Sequence, residues 1–244
     1  MSLLVFLHAL GQTPTSWQPQ VTDLPKGMQA VAPWLRGLHP ARQDEEFDLT
    51  KGAEDVLGQL NVYGVDEMML CGVNFGGNVA LAAAALAPEK VSHLVLVGTR
   101  IHRGKLKSLG RQALMAAIPG RLWAMQGAEK GQLLRAIKAT SPIDQRALLP
   151  LVQAKTLVLV GENDRDRRAA AGDIAAGIKG AQIEIVDCPF LAVDARPPDV
   201  ECGVHRGLLR GALEALGAPS ASVTLTHDHE PRTCTAMIAR KDHP

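Results

Sequence analysis

The stretch from Val65 to Leu86 constrains this chain most. Met68 to Cys71 is a short apolar run ending at Gly72, the mark of a strand buried on both faces. Val73, Asn74, Phe75, Gly76 and Gly77 follow, and then an Ala- and Leu-rich run of helical character. A buried strand that turns into an apolar helix within so few residues brings two backbones closer than side chains allow. The glycines at 72, 76 and 77 meet that demand. One residue, Asn74, is left at the tip. Asn tolerates a left-handed backbone, and its amide donates and accepts hydrogen bonds without having an ionisable proton.

The chain has 244 residues, enough for one α/β domain with a small insertion, and 46% of them are hydrophobic. A formal net charge of +1 gives no pull toward nucleic acid, and no apolar run is long enough to span a membrane. Cys71, Cys188, Cys202 and Cys234 form no C-x-x-C pair, which predicts reduced thiols and a cytoplasmic setting, without a disulfide frame or a metal site. The Ala-, Gly- and Arg-rich usage points to a GC-rich bacterial source. Met1 to Leu7 lacks a basic leader region and its apolar run stops at His8, so it reads as a first strand. No cofactor is expected, and a homodimer is left open.

In chain order, strands are predicted at 3–7, 28–34, 68–71, 91–99, 154–161 and 181–187. Helices are predicted after Asp48, which caps the first of them, over the Ala-rich run after Gly77, and at 165–178 and 200–216. Residues 100–150 break the alternation with two or three short helices, interrupted around Pro119-Gly120 and Ser141-Pro142. Their apolar residues, Trp123 among them, suit a lid. Residues 218–244 read as a polar tail, with a short strand at 223–226. Strands alternating with helices imply a mostly parallel central sheet with helices on both faces. Ligands of such sheets sit at the carboxyl ends of the strands, so His8, Asn74, Thr99, Asp164 and Cys188 should share one rim.

These features together resemble the α/β-hydrolase superfamily, in the short form that begins on the third strand of the full fold, over residues 3–217. Leu7-His-Ala-Leu-Gly11 resembles its His-Gly oxyanion loop, with Ala9 where Gly is usual. Trp34 to Gln43 resembles the Arg-Gly stretch after the next strand, and Gly72-Val-Asn-Phe-Gly76 resembles the nucleophile elbow. Leu157 to Asp164 resembles the strand that delivers the catalytic acid. The resemblance implies a Ser where Asn74 stands. It implies a His just past the 181–187 strand, where Asp187 to Asp194 contains none and Phe190 holds the place.

The superfamily's triad is thus degenerate, with nucleophile and base replaced and the acid kept. A serine hydrolase must remove a proton from its nucleophile and return it to the leaving group; Asn74 has none to lose and Phe190 accepts none. The candidate catalytic residues are Asn74, Asp164 and His8. Those expected to touch substrate are Ala9, Leu10, Phe75, Phe190 and Trp123, with the Phe75 N–H and that of Ala9 or Leu10 forming an oxyanion hole. Asp164 is either a base whose pKa is raised by an apolar surround, or a carboxylate paired with Arg165 or Arg167. His8 either orders the oxyanion loop or faces the cavity as a base. Cys188 is either a displaced nucleophile or buried filler, and the basic run from His102 to Lys107 is either a solvated face or an anion-steering one. Three functions follow. The favoured one is a non-hydrolytic enzyme, of lyase, cyclase or cofactor-free type, acting on an apolar carbonyl-bearing small molecule in secondary metabolism. The others are a ligand- or partner-binding pseudohydrolase and a hydrolase with displaced catalytic residues.

Overall fold

The computed structural model describes residues 2–22, 24, 27–102, 130–140, 143–161, 164–186, 221–228 and 233–240. Its main sheet has six strands: β1 (Ser2–Leu7), β2 (Met28–Val31), β3 (Met68–Val73), β4 (Val91–Val97), β5 (Lys155–Gly161) and β6 (Gln182–Val186). They run parallel in the order β2-β1-β3-β4-β5-β6. β1 and β3 lie side by side, with Leu3 opposite Met68 and Leu7 opposite Gly72.

Side chains alternate across a strand, and here each face builds its own core. Leu3, Val5 and Leu7 of β1 enter one core with Met68, Leu70, Leu94, Leu96, Val158 and Val160. Leu4 and Phe6 enter the other with Met69, Cys71, Val97 and Leu159. Helices cover both faces. On the first lie α2 (Leu49–Leu57), α4 (Phe75–Leu86) and α6 (Arg165–Gly177), with α3 (Gln59–Tyr63) continuing from α2. The second is covered by Trp17 from a 3-10 turn, Pro14–Trp17, that leads into α1 (Gln18–Thr22); its ring stacks on Phe6 at 4.7 Å. Asp48 caps α2 as expected, accepting from the Lys51 N–H at 2.8 Å. The small side chains of α4 let it lie close to the sheet, and it is buried from Phe75 to Ala85.

β2 stops at Val31, short of the predicted Trp34. Pro33 has no N–H to give a ladder and holds the chain away from the sheet edge. Within the expected lid, residues 103–129 and 141–142, including Trp123, lie outside the described residues, as does the predicted 200–216 helix. The described part holds α5 (Lys130–Thr140) and a 3-10 stretch, Arg146–Leu151. The chain enters and leaves the 103–142 stretch side by side, with a bridge between His102 and Asp144 and the Gln145 N–H donating to the Ile101 carbonyl at 2.8 Å. α5 is fastened to the loop after β2. Gln132 Nε2 donates to the His39 carbonyl at 2.9 Å and Arg135 to that of Gln43 at 2.8 Å.

The short strand predicted at 223–226 lies within β7 (Ala221–Asp228), which is longer than expected and pairs antiparallel with β8 (Thr233–Arg240). Val223, Thr224, Thr226, Thr233, Thr235 and Ile238 are β-branched and suit strands. The charged and His-rich residues around them gave that stretch its solvated look.

Candidate functional site

Strand order reverses at β1. Its connection leads outward to β2, whereas β3 leads the other way to β4, β5 and β6. The crevice between the carboxyl ends of β1 and β3 is therefore the place where a ligand fits this topology. Two segments border it, the loop His8–Gln12 after β1 and the turn at Asn74 after β3.

The turn is as tight as the glycine pattern requires. A Cβ on Gly72 would lie 2.5 Å from the Gly76 carbonyl oxygen, one on Gly76 2.7 Å from the His8 carbonyl oxygen, and one on Gly77 3.0 Å from Thr99 Cβ. Asn74 sits at φ 51, ψ −103, the one non-glycine residue with positive φ among the described residues. Such a backbone costs of order 1–3 kcal/mol and persists only where the surroundings enforce it. Here the Asn74 N–H donates to the Val97 carbonyl at 2.8 Å, fixing the tip to the end of β4. The Asn74 side chain is half-buried and hydrogen-bonds to none of the described residues.

Phe75 opens α4, where an N–H has no intrahelical acceptor. Its ring is buried against Phe47 at 4.6 Å, so Phe75 meets the crevice through its backbone only. Across the crevice, the Ala9 N–H is taken by Gln12 Oε1 at 3.2 Å. The Leu10 N–H donates to no described residue. Of the two oxyanion partners expected for Phe75, Leu10 is the one whose donor is open.

Of the two roles open to His8, the structure favours ordering the oxyanion loop over acting as a base. It is fully buried, and both ring nitrogens are engaged. Nδ1 lies 3.0 Å from the Ala9 carbonyl, which can only accept, and Nε2 accepts from the Leu35 N–H at 3.3 Å. That pattern assigns the proton to Nδ1. Burial pushes its pKa down to about 4, against a smaller upward pull from the Ala9 carbonyl. The Trp34 ring meets it edge-on at 5.5 Å.

Asp164 follows β5 at the expected place, but its pKa is not raised. It caps α6, with Oδ1 accepting from the Arg167 N–H at 2.9 Å and Oδ2 held by the Arg167 guanidinium. Burial pulls the pKa upward. The Arg167 hydrogen bonds and charge, with Arg100 further off, outweigh it and hold the carboxyl below its ordinary value. Arg167 was the pairing alternative in the sequence; Arg100, at 3.9 Å, was missed. Its position directly after Thr99 at a strand end was the signal for it. Also missed was a buried amide pair behind the tip: Asn78 Nδ2 donates to Gln145 Oε1 at 2.6 Å and to the Arg100 carbonyl at 2.8 Å, and Gln145 Nε2 donates back to the Asn78 carbonyl at 2.8 Å.

Phe190, Trp123 and Cys188 lie outside the described residues. Among the described residues no three His, Cys, Asp or Glu side chains are grouped to hold a metal, and no helix is long and apolar enough to cross a membrane. A cleft of about 510 Å3 opens elsewhere, between the loop after β2 and α2, and is lined by Trp34, Arg36, His39, Asp55 and Gln59. It includes neither Asn74 nor Leu10 nor Asp164. The switch point, where the strained tip and the open N–H groups meet, is the candidate site.

A family model described as the alpha/beta hydrolase fold matches residues 2–129. The chain is similar to the pimeloyl-[acyl-carrier protein] methyl ester esterase of Aromatoleum aromaticum, at 35% identity over 39% of this chain and 36% of that one. It is also similar to the 2-hydroxymuconate semialdehyde hydrolase of a Pseudomonas species, at 29% identity over the same shares. The chain thus spans little more than a third of the curated relatives it matches. Among solved structures, a hydrolase from Pseudomonas aeruginosa superposes with TM-score 0.71 at 22% identity, over 89% of this chain and 90% of that one. The enol-lactonase of Burkholderia xenovorans does so with TM-score 0.66 at 20% identity, over 88% and 91%. At such identities the structural likeness is one of fold.

Proposed function

The chain belongs to the α/β-hydrolase fold family, and we propose that this member binds a small apolar carbonyl compound at a hydrolase-type oxyanion hole without forming an acyl-enzyme. The observation that carries this reading is the tip. Asn74 holds the strained backbone of a nucleophile position, flanked by the open N–H groups of Phe75 and Leu10, yet has no proton to surrender. Two backbone N–H groups beside a helix N-terminus suit the oxygen of a carbonyl or an enolate.

Between the two non-hydrolytic readings, Asp164 and His8 favour binding over proton-moving catalysis. A general base works best with a pKa near working pH. Asp164 is held low by its arginines and His8 is sealed in the core. Lyase, cyclase or cofactor-free chemistry at this site would thus rest on oxyanion stabilisation and on a base from outside the described residues. A hydrolase with displaced catalytic residues is the second reading, favoured by the esterase and hydrolase activities named for the relatives.

The two are separated by treating the protein with a fluorophosphonate and with p-nitrophenyl hexanoate. Our reading expects no adduct by intact mass and no ester turnover above the buffer rate. Turnover that follows the purified protein and disappears in Cys188→Ala would establish the displaced hydrolase instead.

A further inference from the structure

The cleft between the loop after β2 and α2 has polar groups of its own that the switch point does not use. At about 510 Å3 it is large enough for a small molecule. Its apolar lining includes Leu35 and Val56, each 2% exposed, with Trp34 beside Leu35 in the chain. Its two walls are tied together. Arg36 Nε and Nη2 donate to the two Asp55 oxygens at 2.7 and 3.0 Å, which clips the loop to α2. Arg36 Nη1 also lies 3.1 Å from Glu45 Oε1, and Glu45 Oε2 accepts from the Gly37 N–H at 3.2 Å. Gln132 of α5 holds the His39 carbonyl. The cleft is therefore formed before any ligand arrives, which lowers the cost of binding.

Arg36, Glu45 and Asp55 are committed to one another. Two further charges line the cleft, Arg42 on the loop and Glu54 on α2. Neither side chain forms an ion pair or a hydrogen bond among the described residues, with the other or with any third group. His39 lies on the loop three residues before Arg42 and also lines the cleft. Its Nδ1 accepts from the Ala41 N–H at 3.1 Å, so the proton sits on Nε2, which has no acceptor among the described residues. The loop wall thus offers a cation and an N–H donor, the chemistry that holds a carboxylate. The α2 wall offers an unpaired carboxylate, the chemistry that holds an ammonium. Two arginines against three carboxylates around the cleft disfavour a simple anion. The Trp34 ring suits an apolar or aromatic side chain. We propose that this cleft is a ligand site separate from the switch point, and that it takes a free α-amino acid with an apolar side chain. The carboxylate goes to Arg42 and His39, the ammonium to Glu54 and the side chain to Trp34. The carbonyl-binding reading can stand or fall without it.

The test uses three probes that share one side chain: L-phenylalanine, 3-phenylpropanoate, which lacks the ammonium, and 2-phenylethylamine, which lacks the carboxylate. Nitrogen-15 spectra at neutral pH follow the Trp34 indole N–H and the Gly52 and Gly58 amides, all on the cleft, together with the Leu10 and Phe75 amides at the switch point. L-Phenylalanine should shift the cleft signals saturably and leave the Leu10 and Phe75 amides still. Arg42 and Glu54 are exposed. Each lost charge should therefore weaken binding by roughly 3–5-fold, the upper part of the range for water-screened ion pairs. Arg42→Gln should bring L-phenylalanine level with 2-phenylethylamine, and Glu54→Gln should bring it level with 3-phenylpropanoate. Neither side chain holds another described part of the fold, so both variants should fold as the wild type does. The absence of saturable cleft shifts with L-phenylalanine overturns the proposal. So does equal binding of the three probes to the wild-type protein, or a preference that survives its matching variant. Shifts confined to the Leu10 and Phe75 amides would place the amino acid at the switch point and overturn it as well.

Discussion

His8 makes folding sensitive to mild acid. In the folded protein its pKa is about 4, against 6.5 for the free side chain. At a pH between those values the unfolded chain binds a proton that the folded chain refuses, so stability falls as pH falls. The contribution is complete above pH 6.5 and is lost on the way down to pH 4. At ~1.36 kcal/mol for each pH step between the two values, the loss amounts to about 3 kcal/mol. That is a large part of a domain's usual margin of ~5–15 kcal/mol. Asp164, held below its ordinary value, loses its contribution only at lower pH. His93, whose pKa burial and Lys155 also lower, adds a slope of the same sign. The assay is urea unfolding at pH 7, 5.5 and 4, read by fluorescence of the buried Trp17. In His8→Gln, Oε1 can still accept from the Leu35 N–H, while the Ala9 carbonyl loses its donor. We expect this variant to lose ~1–2 kcal/mol at pH 7 and to be less sensitive to pH than wild type by about 3 kcal/mol. An identical pH dependence in wild type and His8→Gln would refute the sealed-histidine argument.

The other predictions concern the elbow, the amide pair and the acid. Asn74→Ser alone should not restore esterase activity, because the new hydroxyl has no base; only Asn74→Ser with Phe190→His should give weak p-nitrophenyl ester turnover, and recovery in the single variant would reveal another base. Gly76→Ala should destabilise by about 3 kcal/mol or more in urea unfolding, since the new methyl meets the backbone of Leu7 and His8 and not a movable side chain. Gln145→Ala strands the buried Asn78 amide and should cost ~1–3 kcal/mol, with a change within experimental error arguing against the pair. The Asp164 carboxyl, followed by carbon-13 NMR, should titrate below the ordinary ~3.9; a value above it would return Asp164 to candidacy as a base.

The inner strands β1, β3 and β5 were legible as short apolar runs buried on both faces, and β6 as an alternating run at the sheet edge. The elbow was legible from Gly72, Gly76 and Gly77, whose missing side chains are the direct imprint of crossing backbones. What stayed hidden depends on long-range geometry. Nothing local says that Gln12 covers the Ala9 N–H while Leu10 is left open. Nothing local says that the His8 ring is sealed between Ala9 and Leu35, which are one and 27 residues away. Asp164 follows β5, and Arg167, three residues on, chiefly sets its charge environment; the smaller contribution of Arg100 comes from 64 residues earlier in the chain. The β7–β8 pairing was masked by the charged and His-rich residues around it, although its alternating β-branched residues were in plain view.

The central claim is that the Leu10 and Phe75 N–H groups receive a carbonyl oxygen at a tip unable to form an acyl-enzyme. Nitrogen-15 amide spectra recorded as a simple apolar ketone, 2-octanone, is added test it most directly. We predict saturable downfield shifts of the Leu10 and Phe75 amides, with the Ala9 amide, already paired to Gln12, much less affected. Saturable binding that leaves both the Leu10 and Phe75 amides unmoved would contradict the account, as would the absence of any binding up to the solubility of the ketone.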